Sequence, residues 1–285
     1  MKGLMTQAGQ RWTGRASTLV IALALGLAGC VTTETVRNGS GAETSASPVS
    51  SRGTPAEEKR RRAKIRLELS VAHYQQGNLP LALQEAEAAI KVDPGFASAY
   101  GMKGLIYAAM SDTEKTDESF RQALKISPKD AELNNNYGWY LCQTRRQREA
   151  IPHFEVASQD RQYVTPAKPL HNAGICLMQL GDDAGAEGYL LRSFKLDPAN
   201  AVAMYNLGEL YLKQGNLDQA KFYADRLLST YQPTAETLWL GIRVAREAND
   251  HTYEERLSEQ LRRRFPRSPE ATRLDQRGST YHGGQ

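Results

Sequence analysis

The chain has 285 residues, of which 24% are charged, and its formal net charge is +4. The segment 1–29 contains three basic residues and no acidic one, so the rest of the chain has a net charge of only +1. This balance leaves no strongly basic surface, and we therefore expect no nucleic acid among the partners.

Residues 1–29 have the pattern of an export signal. Basic residues precede the apolar run 19–25, which is too short to span a bilayer. The sequence Leu-Ala-Gly-Cys that ends at Cys30 resembles the lipobox of bacterial lipoproteins, and the resemblance implies cleavage before Cys30 and acylation of that residue. By analogy with lipoprotein sorting, Val31 in place of an aspartate implies an anchor on the periplasmic face of the outer membrane. The alternative is an ordinary signal peptide with an incidental cysteine.

Residues 30–54 are predicted to form the lipidated N-terminus and a flexible tether. Residues 31–52 contain almost no large apolar side chain, so burial could not offset the entropy lost on ordering. A coil of this length spans roughly 25–30 Å on average. Thr54, Pro55 and Glu57 then predict the start of a helix with a capping box.

One basic cluster follows the predicted helix start. Lys59, Arg60, Arg61 and Arg62 are consecutive. The cluster could contact anionic lipid or lipopolysaccharide near the anchor. The alternative is a solvated face of a helix.

A glycine that recurs at a nearly constant interval dominates the rest of the chain. The interval is about 34 residues between Gly104, Gly138, Gly174, Gly208 and Gly241, and Ser70 lies one such interval before the first of them. The step from Gly138 to Gly174 is slightly longer than the steps on either side of it. This period, with prolines in fixed phase, predicts stacked helix-turn-helix units. A glycine in the first helix allows the second helix to approach closely, and an aromatic residue from the second helix fills the space beside it.

This pattern resembles the tetratricopeptide repeat (TPR) over residues 63–267. The resemblance implies an all-α, right-handed superhelical solenoid of about six repeats in a domain of residues 55–267, followed by a disordered tail at 268–285. Stacked helical pairs usually hold other proteins. The histidines are scattered without metal-ligand spacing, and neither a nucleophile elbow nor a phosphate-binding loop occurs. We therefore expect no enzyme activity, no cofactor and no metal site.

The first helices of such a stack are expected to line a concave groove. Asn136, Asn172 and Asn206 each stand two residues before a glycine, and an amide can pair with the main chain of a bound segment. The alternative is that these asparagines cap or bridge neighbouring helices. Eight further residues are expected to face the same groove: Leu67, Val71, Tyr74, Leu105, Trp139, Ile175, Tyr205 and Leu212. The alternative is that some of these side chains form ordinary packing between units.

Two further cysteines lie in the first helices of the third and fourth units. Cys142 and Cys176 are nearly one repeat period apart, and neighbouring first helices pack side by side. An exported protein meets an oxidising compartment, so the pair is predicted to form a disulfide. The alternative is two buried free thiols.

The segments 135–142 and 172–176, with residues 163–166 between them, resemble the PilF/PilW lipoproteins of type IV pilus biogenesis. The resemblance implies an outer-membrane pilotin that binds the pilus secretin and other pilus assembly proteins and promotes secretin targeting, multimerisation or stability. We expect it to act as a monomer. A different role for the same fold is that of a lipoprotein adaptor for outer-membrane β-barrel assembly or for peptidoglycan hydrolases.

Overall fold

The computed structural model describes residues 54–160 and 162–281, with side chains through Gln276. The chain divides into an N-terminal unit, Met1–Glu57, and a larger unit, Glu58–Gln285, that contains the repeats. The predicted signal peptide, the predicted lipid attachment site Cys30 and the predicted tether lie outside the described residues. In the described part of the chain, no helix is both long and apolar enough to cross a membrane.

The described residues form thirteen helices and no strand, which confirms the predicted all-α repeat architecture. Helices α1 to α12 form six pairs, each with a first and a second helix. The helices are α1 (Pro55–Gln75), α2 (Leu79–Val92), α3 (Ala97–Ala109), α4 (Thr113–Ile126), α5 (Ala131–Gln143), α6 (Gln147–Ser158), α7 (Ala167–Leu180), α8 (Asp183–Leu196), α9 (Ala201–Gln214), α10 (Leu217–Thr230), α11 (Ala235–Glu247), α12 (His251–Arg264) and α13 (Pro269–Tyr281).

The start of α1 has the predicted capping box. The backbone N–H of Glu57 donates to Thr54 Oγ1 at 3.2 Å, and the N–H of Thr54 donates to Glu57 Oε2 at 2.6 Å. These two bonds satisfy amide groups that have no partner inside the helix.

The repeated glycines lie where the two helices of a unit are closest. A Cβ added at Gly104 would lie 2.8 Å from the Phe120 ring, and one added at Gly138 would lie 2.9 Å from the Phe154 ring. Both rings are fully buried. Because real Cβ atoms do not approach other atoms so closely, a side chain at either position would force the helices apart, as the sequence pattern predicted.

In two units the space between the packed helices is filled differently. Ser70 replaces the glycine in the first unit, and its buried hydroxyl donates to Ala82 O at 2.7 Å. In the fifth unit Ala224 stands at the position of the aromatic residue, and Leu240 of the sixth unit fills the space beside Gly208 instead. The core is therefore continuous across the boundary between these units.

Successive first helices approach one another more closely than successive second helices do. The backbones of α3, α5, α7, α9 and α11 are in contact in that order. Second helices meet through long side chains, as in the bond from Arg192 to Glu155 and the bond from Tyr253 to Asp225. A stack curves toward the side on which its elements are closer, so the first helices form its concave side.

The predicted disordered tail is wrong for Pro269–Tyr281, which form α13. Ser268 Oγ accepts from the Ala271 N–H at 3.1 Å, and Pro269 occupies the first helical position. Ala271 and Leu274 are buried against α11 and α12 in a cluster with Trp239. A solenoid must cover the apolar face of its last unit, and α13 does so here.

Candidate partner-binding surface

The irregular step in the repeat lies in one connection. Second helices are joined to the next first helices by four residues at 93–96, 127–130, 197–200 and 231–234, but by eight residues at 159–166. In this long connection the Tyr163 hydroxyl donates to Glu132 Oε2 at 2.7 Å. Burial, with a smaller effect of the bond to Glu132, raises the pKa of Tyr163. Val164 is 92% exposed, so the connection presents an apolar side chain to solvent.

Two contacts join α5 and α7 beside this connection. Asn172 Nδ2 donates to Asn135 Oδ1 at 2.9 Å, and both side chains are buried. Further along both helices, the Cα atoms of Cys142 and Cys176 are 5.7 Å apart and their sulfur atoms face each other. This separation lies within the range that a disulfide requires. We call this pair of helices, with these two contacts, the α5–α7 junction.

The three asparagines at the same repeat position have three different partners. Asn172 bridges α5 and α7, as the alternative interpretation of the sequence expected. Asn136 Nδ2 donates to Glu132 Oε1 at 3.1 Å, and Asn206 Nδ2 donates to Val202 O of its own helix at 2.8 Å. Asn136 and Asn206 are half-buried, so part of each amide is open to solvent on the first-helix side.

One residue per first helix forms a row along the concave side. In the first unit the row residue directly follows Ser70, and in the next four units it directly follows the repeated glycine. In the sixth unit it is the residue at the same position in α11, counted from the start of the helix. From the first unit to the sixth these residues are Val71, Leu105, Trp139, Ile175, Glu209 and Arg243. We call them the central row. Val71 is 37% exposed and the next three are half-buried, so the row is apolar over four units.

The central row becomes charged in the last two units. Arg243 Nη1 lies 2.8 Å from both carboxylate oxygens of Glu209. Nearby Tyr205 is half-buried, and burial, with a smaller effect of Glu209, raises its pKa. We call this contact between α9 and α11 the α9–α11 junction.

Four residues that the sequence placed in the groove also pack inside the repeats. Leu67 contacts the clusters around Ala63 and Ala82, and Tyr74 contacts the cluster around Ala82. Tyr205 and Leu212 pack against the large core cluster of the fourth to sixth units. Leu105 and Trp139 pack against the cluster of the third unit and retain a partly exposed surface.

One histidine of the repeats lies in the packing between two units. His171 Nδ1 accepts from Asn200 Nδ2 at 3.0 Å, at the N-terminus of α9. Burial lowers the pKa of His171 to about 4, so the ring is neutral at ordinary pH. The described residues contain no group of three His, Cys, Asp or Glu side chains that could hold a metal ion.

Sequence reasoning missed Asn135, Glu209 and Arg243. Asn135 is adjacent to the predicted Asn136, but only the packing shows that it faces α7. Glu209 and Arg243 have opposite charge and lie one repeat period apart, and this spacing could have indicated a contact between neighbouring first helices.

Comparisons with known proteins agree with this architecture. Family models described as tetratricopeptide repeat match residues 97–130 and 177–237. The type IV pilus assembly protein PilF of Pseudomonas aeruginosa is 29% identical over 255 residues, which are 88% of this chain and 94% of that protein. A solved structure of P. aeruginosa PilF has a TM-score of 0.68 at 26% identity and covers 78% of this chain and 99% of its own.

The decisive similarity is to the crystal structure of PilW, described as a widely conserved type IV pilus biogenesis factor. It is 32% identical, has a TM-score of 0.67, and covers 74% of this chain and 97% of its own. The chain belongs to the PilF/PilW family. This PilF/PilW protein is thus a TPR protein of type IV pilus biogenesis, and its partners are expected among type IV pilus assembly components.

Proposed function

We propose that this PilF/PilW protein is a pilotin, an outer-membrane lipoprotein that binds the pilus secretin and promotes its targeting, multimerisation or stability. The similarity to PilW and PilF over nearly the whole length of both carries the proposal. The Leu-Ala-Gly-Cys sequence at Cys30 supports the lipid anchor, and residue 31 supports the outer membrane. We further propose that the protein acts as an adaptor without enzyme activity.

The central row is the surface that we propose for the partner. Its apolar stretch extends over four neighbouring helices and is long enough to receive an extended or helical segment of another protein. The half-buried amide of Asn136 lies one turn from Trp139 and can pair with the main chain of such a segment. We also propose that Cys142 and Cys176 form a disulfide, which would hold α5 and α7 in a fixed arrangement beneath this surface.

A clean deletion of the gene tests the pilotin role. We expect the heat-stable secretin multimer to disappear while the secretin monomer persists, and piliation to be lost. Wild-type multimer and normal piliation in the deletion strain would refute the role. A pull-down from solubilised envelope identifies the partner: secretin supports the proposal, and barrel-assembly proteins or cell-wall hydrolases without secretin contradict it.

Surface variants test the central row. Val71→Glu places a charge at the most exposed end of the apolar stretch and should weaken secretin binding about tenfold or more. Phe222→Glu is the matched control, because Phe222 is 48% exposed on a second helix, away from the row. Both variants should keep the wild-type circular dichroism spectrum. Equal loss of secretin binding in the two variants would contradict the assignment.

A further inference from the structure

The solvent side of α1 carries apolar side chains where a surface helix normally carries polar ones. Ala63 and Ser70 are fully buried on one side of the helix. On the opposite side, Ile65 is 52% exposed and Leu69 is 42% exposed. With Ala72 they follow the i, i+4, i+7 spacing of one helical stripe. We call Ile65, Leu69 and Ala72 the outer stripe of α1.

In the second unit two of the three equivalent positions are covered. Ala99 and Ile106 of α3 stand one repeat period after Ile65 and Ala72, and both are fully buried. They pack in clusters with Ala82, Ala86 and Ala89 of α2. Because α1 is the first helix of the stack, no described helix covers its outer stripe as α2 covers α3.

Basic side chains outnumber acidic ones around the outer stripe, where Glu58 and Glu68 are the two acidic residues. Residues 58–72 contain six basic and two acidic residues. Arg60 is bound to Asp93 and lies over the Phe96 ring, and Arg66 is 2.9 Å from Glu85. Four other basic residues, all exposed or half-buried, form no ion pair with any residue that the structure describes: Lys59, Arg61, Arg62 and Lys64. Of these, Arg61 and Arg62 flank Ile65 on the two sides of the stripe.

We propose that the outer stripe of α1 docks on an anionic phospholipid surface. Ile65 and Leu69 enter the headgroup region, and Arg61 and Arg62 contact lipid phosphates, because basic side chains are attracted to an anionic membrane surface. This inference rests on the proposed lipid anchor at Cys30. Residues 31–54 separate that anchor from α1, and a chain of this length reaches roughly 25–30 Å as a coil.

The anchor explains why a small docking face is sufficient. A lipid on Cys30 would keep α1 within a few nanometres of the bilayer, so docking would be an intramolecular step at high effective concentration. Docking through α1 would also orient the first unit relative to the membrane and leave the central row on a different side of the helix pairs.

Tryptophan quenching by brominated lipid tests the docking. The mature lipidated chain with Leu69→Trp is reconstituted in brominated phosphatidylcholine vesicles with or without phosphatidylglycerol. We expect about twofold quenching of the added tryptophan only with phosphatidylglycerol. The parent chain gives the baseline of its native tryptophans, and Phe222→Trp on a second helix should stay unquenched.

Charge reversal tests the role of the arginines. Arg61→Glu with Arg62→Glu should reduce the docked fraction about tenfold or more, since each basic residue near an anionic surface adds to the attraction. Lys125→Glu with Lys129→Glu makes the same charge change at exposed sites elsewhere and should leave quenching unchanged. Urea unfolding curves should show that both double variants are folded.

Several results would overturn the inference. Equal quenching in neutral and anionic vesicles, or an equal effect of the two charge reversals, would exclude specific docking. Dimers that disappear with Ile65→Ser would show that the stripe binds a second copy. Mass spectrometry of Cys30 separates this failure from that of the proposed anchor: a lipidated chain without quenching overturns only the docking, whereas an unmodified Cys30 overturns both.

Discussion

The α5–α7 and α9–α11 junctions join neighbouring first helices in the same solenoid by different means. At the α5–α7 junction the second-to-first connection has eight residues, a buried amide pair links the helices, and two cysteines face each other. At the α9–α11 junction the connection has four residues, Leu240 fills the space beside Gly208, and the polar link is the partly exposed ion pair of Glu209 and Arg243. A regular connection already sets the position of the next unit, whereas a longer one leaves that position to side-chain contacts.

The core of the third unit provides the largest expected effect. Phe154 is fully buried against Gly138, so Phe154→Ala should lower the free energy of unfolding by about 3–5 kcal/mol. Urea unfolding followed by circular dichroism measures this change. The reciprocal change in the fifth unit is Ala224→Phe, which should cost about 1–3 kcal/mol because Leu240 already occupies that space. A stabilising Ala224→Phe would refute the packing of Leu240 beside Gly208.

The cysteine pair comes next. Cys142→Ala with Cys176→Ala should lower the free energy of unfolding of the oxidised protein by about 3–4 kcal/mol, because a bridge over this span restricts the unfolded chain. Unfolding curves with and without reductant measure the effect. The double variant serves as its own control, since reductant should not change its curve. Two free thiols in the oxidised wild-type protein would rule out the bridge.

The buried amide pair should have a smaller effect. Asn172→Ala leaves the buried Asn135 oxygen without its donor and should cost about 1–3 kcal/mol of unfolding free energy. Asn206→Ala is the matched control at the same repeat position. Its amide bonds only to its own helix, so the cost should remain below about 1 kcal/mol. If the two variants lose equal stability, the amide bridge is not what distinguishes the α5–α7 junction.

The ion pair should have the smallest effect. A double-mutant cycle on Glu209→Gln and Arg243→Gln should give a coupling energy of about 0.2–1 kcal/mol, because both side chains are partly exposed and water screens their attraction. The coupling should decrease further in high salt. A coupling above about 2 kcal/mol would mean that this pair stabilises its junction as strongly as the buried amides stabilise theirs.

The repeat period predicted the apolar part of the central row but not the partners of the three asparagines. Val71, Leu105, Trp139 and Ile175 were predicted to share a groove, and they occupy one repeat position on neighbouring helices. The period also placed Asn136, Asn172 and Asn206 at one position, yet their partners differ. The position of a residue in the repeat determines the side of the helix on which its side chain lies. The neighbouring helix determines what that side chain meets.

The sequence by itself determined the all-α repeat, its phase, the capped start of α1 and the place of the irregular step. These features depend on local contacts or on residue type at a regular spacing, and both are visible along the chain. Only the tertiary structure decided that Asn172 bonds to Asn135, that Leu240 fills the space beside Gly208, and that residues after 268 form α13. Each of these three contacts is made to a group of a neighbouring unit that would otherwise be uncovered. Which groups are uncovered depends on how the units stack, and the sequence alone does not show this.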